Sequence, residues 1–502
     1  MPVTYRRYVD LRLLLPAASA WAGAAYGITA TLSDGRAQVV ALTLVVLISS
    51  VIIGVRPFAR RGKHARYPTG SASLLGVLSG FCFLATALSG TLTATTYMNN
   101  PLYHANGQRV CVHGAAQNPK QTEYSTWLTA VDLRAARGQV VLSTKTRPPV
   151  HAGDAIRTCG VLRSFGAAPT YGIIKPTALQ PLPDTGIRAQ LRAALEQNTK
   201  ALTPDQRGLI AGMSIGDSSM LSTETGAAMR TTSTTHLTAI SGTHLGIILA
   251  TINLLIPGRG KIKATTMLGA LLMLVSVVGL QPSLVRAGTM CLAVTVGSQL
   301  GRTGQSLSSL CATVICWLII NPWLARSYGF ALSVCATVAV LFVLERERTA
   351  AAQGRVKSSG ILGRICGLFA VGLAVQVFTT PLLLTMTGTY PLFAIPANIL
   401  VAPAVAPTTL LGLLAFICPI PALSTATAHL ASWSAQWIIQ VTTLLAELPH
   451  ASLQGNSARI ACVITVVAVP IGWWVWARYR GRSPLLMHHW ITRKPTTRIQ
   501  QR

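Results

Sequence analysis

Long apolar runs, cut by loops rich in Lys and Arg and poor in acid, constrain this chain more than any other feature. A helix needs about twenty apolar residues to cross a bilayer core. Only helices and closed barrels satisfy their own backbone there. Candidate spans fall at about Leu13–Leu32, Gln38–Val55 and Ser71–Thr93, and then at His236–Ile256, Ala264–Leu280, Ser283–Leu300 and Ser306–Asn321. Tyr328–Leu344, Ile361–Met386, Ala422–Glu447 and Arg459–Trp476 complete the set. Pro391–Ile417 is interrupted by Pro396, Pro403 and Pro407, which predicts a broken or re-entrant helix. The expected fold class is a polytopic α-helical membrane protein of about ten to twelve segments.

Charge orients these segments. Arg56, Arg60, Arg61, Lys63 and Arg66 follow the second run with no acid among them, the mark of a cytoplasmic loop. The tail from Arg478 to Arg502 carries seven Lys or Arg and no acid, so both termini are expected in the cytoplasm of a multi-pass protein of the cell membrane. The stretch from Met98 to about Pro183 then falls outside. Forty-two Lys and Arg against thirteen acids, a net charge of +29, point to anionic lipid, nucleic acid or both. The ten cysteines contain no C-x-x-C, no metal or cofactor is expected, and no cleavable leader is evident.

Between the third and fourth spans the pattern changes from apolar runs to short alternating ones. R-V-C-V-H-G, S-T-W-L-T-A-V-D-L, G-Q-V-V-L-S-T, A-I-R-T-C-G-V-L and Y-G-I-I-K are separated by turn residues, which predicts a small β-barrel of OB-fold type. Such barrels often hold single-stranded nucleic acid. Nine Lys or Arg face three acids between Arg109 and Lys175. Arg109, Lys120, Lys145, Arg147, Arg157 and Arg163 are the candidate phosphate contacts, and Trp127 a candidate stacking face. Tyr124, Phe165 and Tyr171 either stack on a ligand in the same way or fill the barrel. Cys111 and Cys159 fall on the first and fourth strands, neighbours in such a barrel, and a disulfide between them suits an oxidising compartment. The expected organisation is three spans in 1–97, the barrel in 98–184 and peripheral helices in 185–235. A channel-forming membrane domain in 236–477 and a basic tail in 478–502 follow.

T-H-L-T-A-I-S-G-T-H-L-G-I-I, Thr235–Ile248, opens the fourth span with polar residues where lipid favours leucine. His236 and His244 are about two helical turns apart, so one continuous helix places both on one face. Ser241 and Gly242 lie between them, and Gly242 permits a bend or a close approach. The histidines either tie helices together or line a wet passage. Asp217 ends the small-residue run G-L-I-A-G-M-S-I-G-D and either caps the next helix or shapes the mouth of a channel. Arg286 sits near the outer end of its span, where it either snorkels to the interface or meets phosphate. Asn398, between Pro396 and Pro403, is placed to satisfy carbonyls freed by the helix break. A hydrolase built on Ser241 lacks a nearby acid and a G-x-S-x-G elbow. No Walker A motif occurs. A secondary transporter of a small anion is the alternative that broken helices permit.

The Thr235–Ile248 block is similar to the H-L-L-A-I-S-G-L-H-V block of the ComEC competence-protein family, integral membrane proteins that bring transforming DNA into bacteria. I-A-G-M-S-I-G-D, ending at Asp217, resembles that family's small-residue run ending in G-D. P-S-L-V-R-A-G-T-M (Pro282–Met290), G-R-T-G-Q-S (Gly301–Ser306), N-P-W-L-A-R-S-Y-G-F-A-L-S (Asn321–Ser333) and A-N-I-L-V-A-P (Ala397–Pro403) resemble further family elements in the same order. The departures are Thr residues where a Gly precedes the first histidine, Thr243 for a common Leu, and Ser218 for a frequent basic residue. The resemblance implies a channel for single-stranded DNA, with Asp217, His236, Ser241, Gly242, His244, Arg286 and Asn398 along or near its path. It also implies an extracytoplasmic helix-hairpin-helix DNA receptor, a separate nuclease and a cytoplasmic ATPase or single-strand-binding protein as partners. Longer relatives carry a metallo-β-lactamase-like domain with an H-x-H-x-D-H motif. No H-x-H occurs here, so the chain reads as a short form and nuclease activity is not expected of it.

Overall fold

The computed structural model describes residues 13–33, 70–121, 126–133, 138–151, 153–164, 168–182, 187–238, 242–255, 261–278, 287–292, 306–352, 361–468 and 470–471. Two helices, α1 (Leu14–Leu32) and α2 (Gly70–Met98), and a short α3 (Pro101–His104) lead into the barrel. Its strands are β1 (Arg109–Ala116), β2 (Lys120–Gln121), β3 (Trp127–Leu133), β4 (Gln139–Thr144), β5 (Ala155–Arg163) and β6 (Thr170–Pro181). Next come α4 (Ile187–Asn198), α5 (Pro204–Ile215), α6 (Thr223–Thr231), a 3-10 turn (Thr235–Thr238), α7 (Gly242–Leu255) and α8 (Lys261–Val278). After these lie α9 (Ser306–Ile320), a second 3-10 turn (Pro322–Arg326), α10 (Tyr328–Ala352) and α11 (Ile361–Thr387). A hairpin-like pair, β7 (Thr389–Pro391) and β8 (Ser452–Gln454), brackets α12 (Ala394–Ile417) and α13 (Pro421–Ala446), and α14 (Gly455–Val463) follows.

All five expected strands form, and they close. The order is β1-β5-β6-β4-β3, and β3 returns to pair with β1. Every pairing is antiparallel except β4 with β6, the topology of an OB-fold. Strict alternation explains the closure: on β5, Ile156, Thr158, Gly160 and Leu162 turn inward while Arg157, Val161 and Arg163 face out. Val112, Val131, Val140, Leu142, Leu162 and Ile174 fill the interior. Cys111 pairs directly with Cys159 across β1 and β5, and the two form the expected disulfide on the outer surface. Tyr171, one of the aromatics with two readings, belongs to the core at 2% exposure. It stacks on Tyr97 of α2 at 4.4 Å, and Trp323 meets Tyr97 edge-on at 5.5 Å. The Tyr97 hydroxyl donates to the Thr170 carbonyl at 2.9 Å. One end of the barrel is thus seated on α2 and the Pro322–Arg326 turn. Tyr124 and Phe165 lie outside the described residues.

Around the barrel the protein is a helical membrane protein. Among the described residues, four helical stretches are long and apolar enough to cross a bilayer: Leu75–Met98, Tyr328–Glu347, Gly367–Thr387 and Ala394–Ile417. They coincide with expected spans. The second expected span, and most of the one at Ser283–Leu300, fall outside the described residues.

One expectation needs correction. Pro391–Ile417 is not broken: α12 runs unbroken over Ala394–Ile417 with Pro403 and Pro407 inside it. Pro403 and Pro407 take the N–H partners from the Ile399 and Pro403 carbonyls, and the helix continues past both losses. Adjoining carbonyls carry side-chain donors: Trp437 Nε1 of α13 donates to the Leu400 carbonyl at 2.9 Å, and the Thr408 and Thr409 hydroxyls bond back to the Ala404 and Val405 carbonyls. Helix α4 packs into the helical bundle: its Asn198 side chain bonds to Ser424, and Leu195 is buried among the helices.

Packing of α1 on α2 rests on small residues. A Cβ at Gly27 would collide with the backbone of Ala87, and Gly23 four residues earlier has the same constraint against Phe83. This small-xxx-small spacing brings two helix backbones together where apolar burial gives no driving force. Gly27→Leu should therefore force the pair apart at a cost of about 1–3 kcal/mol. A lower thermal midpoint of the purified protein in detergent is expected for it. Gly246→Ala, where nothing lies within 4 Å of the added carbon, should leave the midpoint unchanged or slightly raised.

Candidate functional site at the junction of barrel and helices

The second attachment of the barrel is polar and is built around Asp217. Helix α5 starts with a capping box, Thr203 with Gln206, and a proline in its first turn. It ends at Gly216, whose φ of +79° is left-handed and suits glycine. The reversal carries the Asp217 side chain away from the helix, and Ser219 N–H donates to Asp217 Oδ1 at 3.0 Å. Its other oxygen, Oδ2, lies 2.9 Å from Nδ1 of His151, which reaches over from the barrel loop between β4 and β5. That nitrogen is also 3.0 Å from the Ser219 hydroxyl. Asn118, just after β1, donates to the Gly216 carbonyl at 3.0 Å. The turn Gly216–Ser219 is therefore clasped from two places on the barrel.

Asp217 is only 6% exposed. Burial alone would push its carboxyl toward the neutral form. The hydrogen bond and charge of His151, with the Ser219 N–H and hydroxyl, outweigh that and hold it down at about 2. Capping of the next helix is not its task. Ser222 caps α6 by accepting from Thr225 N–H, and Asp205 supports that cap through Ser222 N–H, Ser222 Oγ and Thr225 Oγ1. The His151–Asp217 contact was not readable in advance. The two lie 66 residues apart, and His151 sits in a loop with no periodic pattern.

The two histidines of the central block lie on different elements and not on one continuous helix. His236 belongs to the 3-10 turn, is exposed, and places Nδ1 3.1 Å from the Ser233 carbonyl. His244 belongs to α7 and is fully buried. One regular helix through both is ruled out by the tighter turn at Thr235–Thr238, because a 3-10 segment rotates side chains differently from an α-helix. Gly242 is the first residue of α7, and a Cβ there would only touch Ala287 at 3.5 Å, so close approach is not its role. Asn398 donates from Nδ2 to the Ala394 carbonyl at 2.8 Å, one turn back in the unbroken helix, and not to a carbonyl freed by a break. Ser241 and Arg286 lie outside the described residues.

The barrel cations separate into two groups. Arg109, Arg157 and Arg163 are exposed on the outer face of β1 and β5 beside the disulfide. Trp127 and Arg147 form a different group, with the guanidinium 5.4 Å from the indole centre. Lys145 is exposed in the same loop as Arg147, after β4. Lys120 is on the short β2, opposite Leu128 of β3. Among the described residues, no three His, Cys, Asp or Glu side chains are gathered to hold a metal ion.

A family model described as competence protein matches residues 213–479. The match starts inside α5, so it takes in Asp217, the central block and the long helices α10 to α13. ComE operon protein 3 of Bacillus subtilis (strain 168) is 29% identical over 205 residues, which is 40% of this chain and 25% of that protein. The alignment thus spans about a quarter of that relative's length. No solved structure matches.

Removing the junction carboxylate gives a direct test. Its folded value of about 2 lies below the ordinary 3.8, so its stabilising contribution is present above about pH 4 and is lost as pH falls toward 2. Asp217→Asn should cost about 2 kcal/mol at pH 6. Thermal midpoints of wild type and variant should converge between about pH 4 and pH 2. His151→Ala, which leaves the buried carboxylate without its partner, should lower the midpoint at pH 6 at least as much.

Proposed function

The chain belongs to the competence-protein family, and from that premise we propose that it forms the passage by which single-stranded DNA crosses the cytoplasmic membrane during natural transformation. The observation that carries this reading is the clasp between an OB-type barrel and the family's own G-D turn: His151 of the barrel holds Asp217 of the matched region. A domain shape used for single strands is thereby fastened to the membrane helices beside the residues on which the family resemblance rests.

In this reading the barrel faces the outside, where the Cys111–Cys159 disulfide is stable, and the basic run at 56–66 and the basic tail lie in the cytoplasm. The protein crosses the membrane several times, with both termini inside. DNA arrives from an extracytoplasmic receptor of helix-hairpin-helix type, a separate nuclease degrades the other strand, and a cytoplasmic ATPase or single-strand-binding protein draws the strand in. His244, buried on α7, serves helix packing next to the path, while His236, which is exposed, and Arg286, by its place in the sequence, are candidates to meet the strand. Small-anion transport drew its support from a broken helix over 391–417, and the unbroken α12 withdraws that support.

Two measurements test the reading. Deleting the gene should leave labelled DNA bound at the cell surface in a nuclease-sensitive state and abolish the nuclease-protected cytoplasmic fraction. Normal protected uptake in the deletion strain would overturn the proposal. For orientation, reducing intact cells and then adding a membrane-impermeant maleimide should label Cys111 and Cys159, judged against a variant with both changed to Ser. Labelling that needs permeabilised cells would place the barrel inside.

A further inference from the structure

OB-folds that bind oligonucleotides commonly present the outer face of the second and third long strands, and in this barrel those strands are β3 and β4. Their sequences, W-L-T-A-V-D-L and Q-V-V-L-S-T, contain no Lys or Arg and one acid, Asp132. Strands β1, β5 and β6 carry the reverse pattern: R-V-C-V-H-G-A-A, A-I-R-T-C-G-V-L-R and T-Y-G-I-I-K-P-T-A-L-Q-P hold four Lys or Arg and no acid.

Register turns this composition into a surface. β5 lies between β1 and β6, and Arg109 is opposite Val161, Cys111 opposite Cys159 and His113 opposite Arg157. On the other side of β5, Val161 is opposite Lys175. Arg109, His113, Arg157, Arg163 and Lys175 are all exposed on the outer face. Between them lie Cys111 of the disulfide, which is exposed, and Val161, which is 41% exposed. Arg157 and Arg163 are about 20 Å apart along the strand. Among the described residues no carboxylate pairs with these four Lys and Arg. The two attachments of the barrel, Tyr171 with Thr170 at one end and His151 with Asn118 at the other, use other residues and leave this face uncovered.

Resting on the function proposed above, we infer that single-stranded DNA runs over the β1-β5-β6 face of the barrel, its phosphates on Arg109, Arg157, Arg163 and Lys175 and its bases toward the low apolar ridge of Val161 and the disulfide. The β3-β4 face is not the binding surface. Cations spaced along an extended strand suit a linear polyanion, and a ridge without hydrogen-bonding side chains accepts any base.

The test uses the full-length protein in nanodiscs of zwitterionic lipid and a fluorescent thymidine oligonucleotide. Arg157→Glu with Arg163→Glu should weaken binding about tenfold or more, and flatten the salt dependence by about 0.7 in log–log slope for each phosphate no longer neutralised. Lys145→Glu with Arg147→Glu makes the same change in total charge on the other group and should leave affinity within about twofold. Photocrosslinking with a 4-thiothymidine oligonucleotide, mapped by mass spectrometry on the wild type, should mark β1, β5 and β6. That readout does not depend on the variants folding. Equal weakening by both pairs, or crosslinks confined to β3, β4 and the Lys145–Arg147 loop, would overturn the inference while leaving DNA binding intact. So would an Arg157/Arg163 effect seen only with vesicles of anionic lipid, which would make the face a lipid contact. Absence of any binding by the wild type would count against the proposed function itself.

Discussion

A carboxylate buried at the seam between barrel and helices needs a partner, and meeting that need organises much of this molecule. Asp217 leaves α5 through a left-handed glycine and arrives in a place where its charge is costly without compensation. His151 and two donors from Ser219 supply that compensation, while Asn118 holds the adjoining Gly216 carbonyl, so the charge is met only when barrel and turn sit in this placement. The bond therefore acts as a register mark. A barrel rotated by one strand would leave a buried charge unpaired, and the cost of that is larger than the net gain of an ordinary hydrogen bond.

The other attachment has the opposite chemistry. Tyr97, Tyr171 and Trp323 meet through ring faces and edges, with one hydroxyl bond to the Thr170 carbonyl. Aromatic contacts of this kind tolerate small shifts, whereas a buried carboxylate–imidazole bond does not. The two ends also belong to different groups of helices. The aromatic end rests on α2 and the turn before α10, and the polar end on α5, which packs against α12 and α13. The barrel thus bridges two parts of the helical region that are far apart in sequence.

How much of this could be read from the residues differs by element, and the difference is physical. Barrel strands were legible because their signal is local: alternation over six to nine residues, closed by turn residues, survives any tertiary context. Once the strand order was inferred, Cys111 and Cys159 followed as neighbours. Spans were legible from hydropathy for the same reason. His151 with Asp217 was not legible, since nothing in either local sequence specifies a partner 66 residues away. In the central block the spacing of His236 and His244 implied one continuous helix, and the 3-10 turn at Thr235–Thr238 puts the two on different elements instead. Pro403 and Pro407 misled in another way. Breaking a helix is what proline does in isolation, whereas α12 is tied to α13 by Trp437 on the Leu400 carbonyl and by Thr408 on Ser434, and it continues through both prolines.

Composition inside the barrel carries a further lesson about what a fold name licenses. The OB topology is present in full, including the parallel β4–β6 pair, yet the charges do not sit where the fold most often presents a ligand surface. Topology fixes which strands are neighbours, and alternation fixes which side chains face out. Neither dictates which face carries cations. Here β3 and β4 present half-buried apolar and small residues, Leu128, Ala130, Val141 and Ser143, while β1, β5 and β6 present arginine and lysine around a disulfide. Because that disulfide joins β1 to β5, it also stiffens the two strands that carry most of those cations. Fixed charges lose little conformational freedom when they meet a flexible polyanion, so the ordering cost of association falls mainly on the strand being held.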